Sequence, residues 1–190
     1  MPRTEEQYEK LRKLKRNKIL DSSLKLFAEK GFSATSMSMI ARNTGISKGL
    51  IYNYFESKED LVRTLLTNGL EEFSKVYDKN KDGVLTEKEF VFLIDETFEI
   101  LKSNIQFWRL YFSIMAQADV MKLIEKKLME LVGPFLMTLN SYYKGKGIKN
   151  PMAHAQLIGA VLDGVSMNYV MDPEGFPLDE VKEIILKKFI

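Results

Sequence analysis

The sequence of 190 residues contains no cysteine, and this absence excludes several kinds of site. Disulfides, thiolate zinc sites and cysteine nucleophiles all require a thiol. The single histidine, His154, stands between two alanines, which is more typical of a structural residue than of a metal ligand or a catalytic base. Neither a phosphate-binding glycine loop nor a G-x-S-x-G nucleophile motif occurs. We therefore do not expect an enzyme.

Long apolar runs are also missing, and charge is unevenly placed. No stretch approaches the roughly 18 apolar residues of a membrane span, and the charged N-terminus is unlike a signal peptide, so we expect a soluble cytoplasmic protein. The net charge is only +2, yet residues 1–20 carry seven lysines and arginines against three acids, a local excess of +4. Such a basic arm is typical of a surface that faces a polyanion, although a solvated helix face has the same composition.

Apolar residues recur at helical spacing along almost the whole chain, and no sustained alternation typical of strands occurs. The pattern predicts an all-α fold. Ser36 and Ser47 are candidate caps of two short helices, and Gly45 between them can supply a left-handed turn. The other helices are expected at about 8–30, 58–77, 86–102, 104–116, 118–144, 151–170 and 178–189, and the helix after Ser47 at 48–54.

Two short helices joined by a glycine turn form a unit whose second helix can enter the major groove of DNA. Ile40, Ala41, Ile46 and Ile51 are spaced to pack the pair together. The second helix offers lysine and tyrosine for phosphates, asparagine for an adenine edge and leucine for a thymine methyl. Spacing alone fits an αα-hairpin without DNA binding equally well.

The segment from Phe27 to Leu61 resembles the signature of the tetracycline-repressor (TetR) family. The blocks F-x-x-x-G-F, I-A-x-x-x-G-I-S-K-G-x-I-Y-x-Y-F and S-K-E-D-L match it in order and spacing. The resemblance implies a homodimeric transcriptional regulator, a repressor, that a small-molecule effector releases from a double-stranded DNA operator. It also implies an N-terminal helix-turn-helix DNA-binding domain at 1–57 and a helical effector-binding and dimerisation domain at 58–190.

The same resemblance implies which residues face DNA. Lys58, at the start of the next helix, resembles a phosphate contact, whereas Tyr52 and Tyr54 could instead be partly core. Leu50 departs from the family, in which many members have a small residue or threonine there, and this affects base preference rather than the binding mode. The DNA-binding residues implied by the motif are Ser36, Ser47, Lys48, Gly49, Leu50, Tyr52, Asn53, Tyr54 and Lys58.

The second domain has two features of its own. Its last two helices are too apolar for a terminal hairpin to bury alone, so we expect a two-fold, four-helix interface with a second copy. An aromatic-rich stretch fits either an adaptable cavity for a small apolar effector or plain core. The residues concerned are Phe107, Trp108, Tyr111, Phe112 and Met115.

Residues 78–89 match the calcium-binding loop D-x-N-x-D-G-x-L-x-x-x-E at all twelve places. The Ca²⁺ ligands would be Asp78, Asn80, Asp82, the carbonyl of Val84 and a bidentate Glu89. A polar turn in which Thr86 and Glu89 form only a capping box would have the same sequence. A calcium-responsive, EF-hand-like interaction module is therefore the alternative to the regulator, which itself requires no cofactor.

Overall fold

The computed structural model describes residues 4–74, 84–115, 117–122 and 124–190. Helices occupy most of these ranges, and no strand occurs within them, which confirms the all-α prediction. The helices are α1 (Glu5–Lys30), α2 (Met37–Thr44), α3 (Lys48–Tyr52), α4 (Lys58–Ser74), α5 (Glu87–Ser103), α6 (Ile105–Met115), α7 (Ala118–Met121), α8 (Glu125–Gly145), α9 (Pro151–Met171) and α10 (Leu178–Phe189).

Helix α1 begins earlier than predicted because a capping box precedes it. The Thr4 hydroxyl accepts the backbone N–H of Gln7, and the Gln7 side chain accepts the N–H of Thr4. These reciprocal bonds satisfy backbone donors that a helix start leaves unpaired. The charged N-terminal arm is therefore part of one helix of 26 residues.

Two predicted helices are shorter in the structure. Helix α3 ends at Tyr52, and Asn53 and Tyr54 follow it in a turn, so the predicted end at residue 54 is wrong. The predicted helix 118–144 is divided into α7 and α8. Ile124, at the break, has φ −119° and is only 2% exposed, because leaving the helix places its side chain in the core.

The first three helices form a small unit around fully buried apolar side chains. Phe27 of α1, Ile40 of α2, Ile51 of α3 and the following Phe55 are each at most 1% exposed. Helix α1 also packs against α4 and α6, so its C-terminal half belongs to both parts of the molecule. The basic N-terminal half of α1 is largely exposed.

The remaining helices form the second unit. Helices α8 and α9 pack along each other, α4 packs against α8, and α6 lies against α1, α4, α5 and α9. Helix α10 covers α5 and α9. Among the described residues, no helix combines the length and apolarity that crossing a membrane requires. Helices α4 and α6 thus both contact α1 of the first unit and the interior of the second.

Candidate DNA-binding surface and effector cavity

The turn between α2 and α3 is held by local hydrogen bonds. Gly45 adopts a left-handed conformation with φ 71° and ψ 29°, and its N–H donates to the end of α2. Ser36 and Ser47 have extended backbones, and each hydroxyl oxygen accepts a backbone N–H from the following helix at 3.2 Å. A capping hydroxyl that accepts this bond keeps its own hydrogen available, so both serines retain a donor for a phosphate oxygen.

The surface of α3 presents most of the residues that the motif places against DNA. Ile51, which the sequence predicted to pack the two helices together, is buried, and so is Phe55. Leu50 and Tyr54 are half-buried, with Tyr54 packed against the core, whereas Tyr52 is 45% exposed. The exposed members of the set are Ser36, Ser47, Lys48, Gly49, Tyr52 and Asn53.

Lys58 has a contact within the protein that the sequence did not indicate. Its ammonium donates a hydrogen bond to the Phe32 carbonyl at 2.8 Å and lies 4.2 Å from the centre of the Phe32 ring. The side chain is half-buried, which ties the start of α4 to the turn after α1. Because an ammonium has three donors, a phosphate contact would have to use the remaining ones.

The basic arm lies beside α3. A surface depression between the two helices is lined by Arg12 and Lys15 of α1 together with Leu50 and Asn53. The Arg16 guanidinium lies 4.9 Å from the centre of the Phe55 ring, which anchors this part of α1 to the unit. Cationic side chains for phosphates and an amide for a base edge are therefore presented on one face.

The second unit contains a cavity of about 220 Å³ among α4, α5, α6, α8 and α9. Trp108 and Tyr111 of α6 are nearly buried in its wall, with ring centroids 5.4 Å apart and planes at 81°. Met115 also lines it and is 41% exposed. Among the described residues, the lining consists of Leu70, Thr97, Trp108, Tyr111, Met115, Leu128, Met129, Val132, Phe135, Leu136, Gly159, Leu162, Asp163 and Ser166.

Two aromatic residues predicted for this cavity lie elsewhere. The ring of Phe107 occupies the place that a Cβ at Gly69 of α4 would take, so the two helices touch closely there. Phe112 lines a separate surface depression with Arg109 and Met171. Helix α6 is buried on more than one side, and helical spacing alone does not distinguish those sides.

The cavity wall contains a carboxylate that the sequence did not single out. Asp163 of α9 lines the cavity but is an exposed residue, so it lies at the rim. Burial raises the pKa of Asp163, and burial together with the negative charge of Asp163 raises the pKa of Tyr111. Thr97, another polar residue of the wall, donates its hydroxyl to the Leu93 carbonyl at 2.7 Å. An acid among helical residues usually indicates a solvated face, which is why sequence reasoning missed this one.

The calcium-loop residues Asp78, Asn80 and Asp82 lie outside the described residues. Val84 is exposed, and Glu89 belongs to the capping box of α5. A Glu89 carboxylate oxygen accepts the Thr86 N–H at 2.8 Å and the Thr86 hydroxyl at 2.7 Å. Nowhere in the described ranges do three or more histidine or acidic side chains cluster in a way that could hold a metal. The described part of the loop therefore has the capped helix start, and calcium binding stays a prediction.

The chain is similar to known proteins in sequence and in structure. Residues 19–65 match the family described as bacterial regulatory proteins, tetR family. The HTH-type transcriptional regulator HbdR of Aromatoleum sp. (strain CIB) is 35% identical over 75 residues, 40% of this chain and 33% of that protein. The HTH-type transcriptional regulator BetI of Vibrio vulnificus (strain YJ016) is 23% identical over 184 residues, 91% of this chain and 89% of that protein.

A solved structure extends the likeness over the second unit. The transcriptional regulator FadR from Bacillus subtilis, in complex with stearoyl-CoA, superposes with a TM-score of 0.74 at 20% identity, over 91% of this chain and 98% of that one. At this identity the likeness shows the fold. The chain's match spans about a third of the length of HbdR.

Within the described residues, an N-terminal helix-turn-helix is followed by a second, helical unit. The helix-turn-helix segment is similar to the tetR family, and the fold as a whole is similar to that of the regulator FadR. The relatives named above are transcriptional regulators rather than enzymes.

Proposed function

We propose that the protein is a transcriptional repressor that binds a double-stranded DNA operator as a homodimer and leaves it when a small, largely apolar molecule enters the cavity. The observation that carries the proposal is the exposed surface of α3, held by the left-handed Gly45 turn beside the basic side chains of α1. Helix-turn-helix proteins bind the major groove with one short helix. That helix presents hydrogen-bond donors for the DNA phosphates and side chains that contact base edges.

An unpartnered apolar stripe on α9 supports the homodimer. Its members alternate in spacing between three and four residues, so they follow one face of the helix. Leu157 is 51% exposed, Met167 47% and Met171 73% in the single chain, and Ile184 of α10 adds 53%. The stripe is formed by Ala153, Leu157, Ala160, Gly164, Met167 and Met171, all of them exposed. Its small residues let a second copy of α9 approach closely, as a two-fold interface requires.

Contacts of α6 supply the coupling between cavity and DNA. Trp108 and Tyr111 line the cavity, while the neighbouring Phe107 packs on Gly69 of α4, the helix that follows the DNA-binding segment. At the other end of α6, the Ser33 hydroxyl in the turn before α2 donates to the Gln117 side chain at 3.4 Å. A ligand that displaces α6 would thus favour a different position of the DNA-binding unit, and with it a different separation of the two α3 helices.

DNA binding by the purified chain is the direct test. A duplex selected from random sequences should bind with an affinity that falls steeply with salt, because cationic side chains displace counterions. Lys48→Ala should weaken binding to every duplex and reduce the salt slope by about 1, whereas Asn53→Ala should relax base preference at one position by about 1–3 kcal/mol. Fluorescence anisotropy at several salt concentrations measures both effects.

Lys149→Ala is the control for these variants, because Lys149 is exposed and lies far along the chain from α3. It removes the same charge and should leave the affinity unchanged. The proposal is contradicted if no selected duplex binds in a salt-dependent way, or if Lys149→Ala weakens binding as much as Lys48→Ala.

Calcium binding by the 78–89 loop is a separate proposal. We expect metal-stripped protein to take up Ca²⁺, with Glu89 leaving its bonds to Thr86 to become a bidentate ligand. Glu89→Gln should abolish the heat measured by isothermal titration calorimetry, whereas Glu87→Gln, two residues away on the same helix, should not. The proposal of calcium binding is contradicted if no heat is measured at millimolar calcium, or if both variants give equal heat. The segment would then be only a turn that caps α5.

A further inference from the structure

The carboxylate of Asp163 stands out among the groups that line the cavity. Most of the wall is apolar, and Leu162 and Gly159 of the same helix line it beside Asp163. Within the described ranges no lysine, arginine or histidine forms an ion pair with Asp163, and burial alone accounts for its raised pKa. A partly desolvated carboxylate without a cationic partner favours the arrival of a positive charge.

Aromatic rings line the same cavity as this carboxylate. Trp108, Tyr111 and Phe135 line the same cavity, and the Trp108 and Tyr111 rings stand nearly perpendicular to each other. Tyr111 and Asp163 both line this cavity, and the negative charge of Asp163 contributes to the raised pKa of Tyr111. Aromatic faces attract cations, and such faces combined with a carboxylate are the chemistry that recognises an alkylammonium group.

The volume and charge of the cavity limit the ligand further. At about 220 Å³ the space is smaller than the roughly 300–1,000 Å³ of pockets for drug-sized ligands, so it fits a short chain. An anionic head group beside Asp163 would meet a like charge, and none of the described residues that line the cavity is cationic. A neutral alcohol with the same apolar chain as an alkylammonium compound would make the apolar contacts but no ionic interaction with Asp163.

We propose that the cavity binds a small alkylammonium compound, with the apolar chain between α6, α8 and α9 and the cationic head between Asp163 and the aromatic rings. As an effector site this rests on the proposed regulatory function, but the binding itself can be measured without DNA. The expected ligand has one short apolar chain and one positive charge.

Three probes of equal chain length test the proposal on the full-length protein: octyltrimethylammonium, octanol and octanoate. Isothermal titration calorimetry and quenching of Trp108 fluorescence should both rank octyltrimethylammonium first and octanoate last. Asp163→Asn should lower the octyltrimethylammonium affinity by roughly tenfold or more, since it removes a charged partner, and should leave octanol binding unchanged. Asp163→Glu keeps the charge and should keep the ranking.

Glu174→Gln removes the same charge from an exposed position outside the cavity wall and should change none of the three affinities. Thermal unfolding with each probe verifies that octyltrimethylammonium does not act by denaturing the protein. The proposal is overturned if no probe binds, if octanoate binds as tightly as octyltrimethylammonium, or if Asp163→Asn leaves the ranking intact.

Operator binding by the same unliganded preparations separates this proposal from the regulatory function. Charge-selective binding without any DNA binding would support the site and reject the repressor. DNA binding without charge selectivity would support the repressor and reject the alkylammonium site.

Discussion

Leu157→Glu is expected to convert the protein to a monomer at micromolar concentration and to abolish operator binding. Leu157 lies in the middle of the α9 stripe, so a two-fold interface would bury two like charges near each other. Each carboxylate buried without a partner costs several kcal/mol, which exceeds what the apolar contacts of a single leucine contribute. Sedimentation velocity measures the mass, and anisotropy measures DNA binding on the same sample.

Met137→Glu is the matched control for the dimer. Met137 of α8 is 58% exposed, comparable to Leu157, but does not belong to the α9 stripe. We expect it to remain dimeric and to bind DNA. A Leu157→Glu protein that stays dimeric would reject the stripe as the interface, and an equal loss in both variants would indicate a general effect of added charge.

Gly45→Val is expected to reduce operator affinity by more than an order of magnitude and to destabilise the N-terminal unit. Its φ of 71° is left-handed, a conformation that costs an L-residue roughly 1–2 kcal/mol and a β-branched residue more. The chain can relieve that cost only by changing the turn, which alters the angle at which α3 meets α2. Anisotropy with the selected duplex and thermal unfolding of the free protein measure the two effects.

Gly145→Val is the control that distinguishes the effect of a left-handed backbone from the effect of a larger side chain. At both glycines an added Cβ would meet no atom within 4 Å, but only Gly45 has a positive φ. Gly145 ends α8 with a right-handed backbone, so its variant should unfold at nearly the wild-type temperature and bind DNA normally. If the two variants behave alike, the left-handed turn is not what positions α3.

The DNA-binding unit could be predicted closely because local rules determine it. Serine caps, a glycine between two short helices and the spacing of Ile40 and Ile51 are readable from adjacent residues, and the structure has each of them. The predicted end of α3 lies two residues beyond the observed one, because the amino-acid sequence does not distinguish a last helical turn from the turn that follows it.

The cavity was less predictable because it depends on tertiary packing. Helical spacing grouped the aromatic residues of α6, but it did not show that Phe107 faces α4 while Trp108 and Tyr111 face the cavity. Asp163 was missed for a related reason. An acid next to Gly164 on an exposed stripe has the sequence pattern of a solvated residue, and only the packing of α9 against α8 and α6 brings it to the cavity rim.

Helix α1 is long enough to convert a small rotation at one end into a large displacement at the other. Its 26 residues form one rod of roughly 39 Å, with its C-terminal half against α6 and its basic half beside α3. A rod of this length amplifies small rotations: a tilt of about 5° at one end moves the other by roughly 3 Å. Displacements too small to break any contact in the interior would therefore still move the basic side chains of α1 by a full hydrogen-bond length.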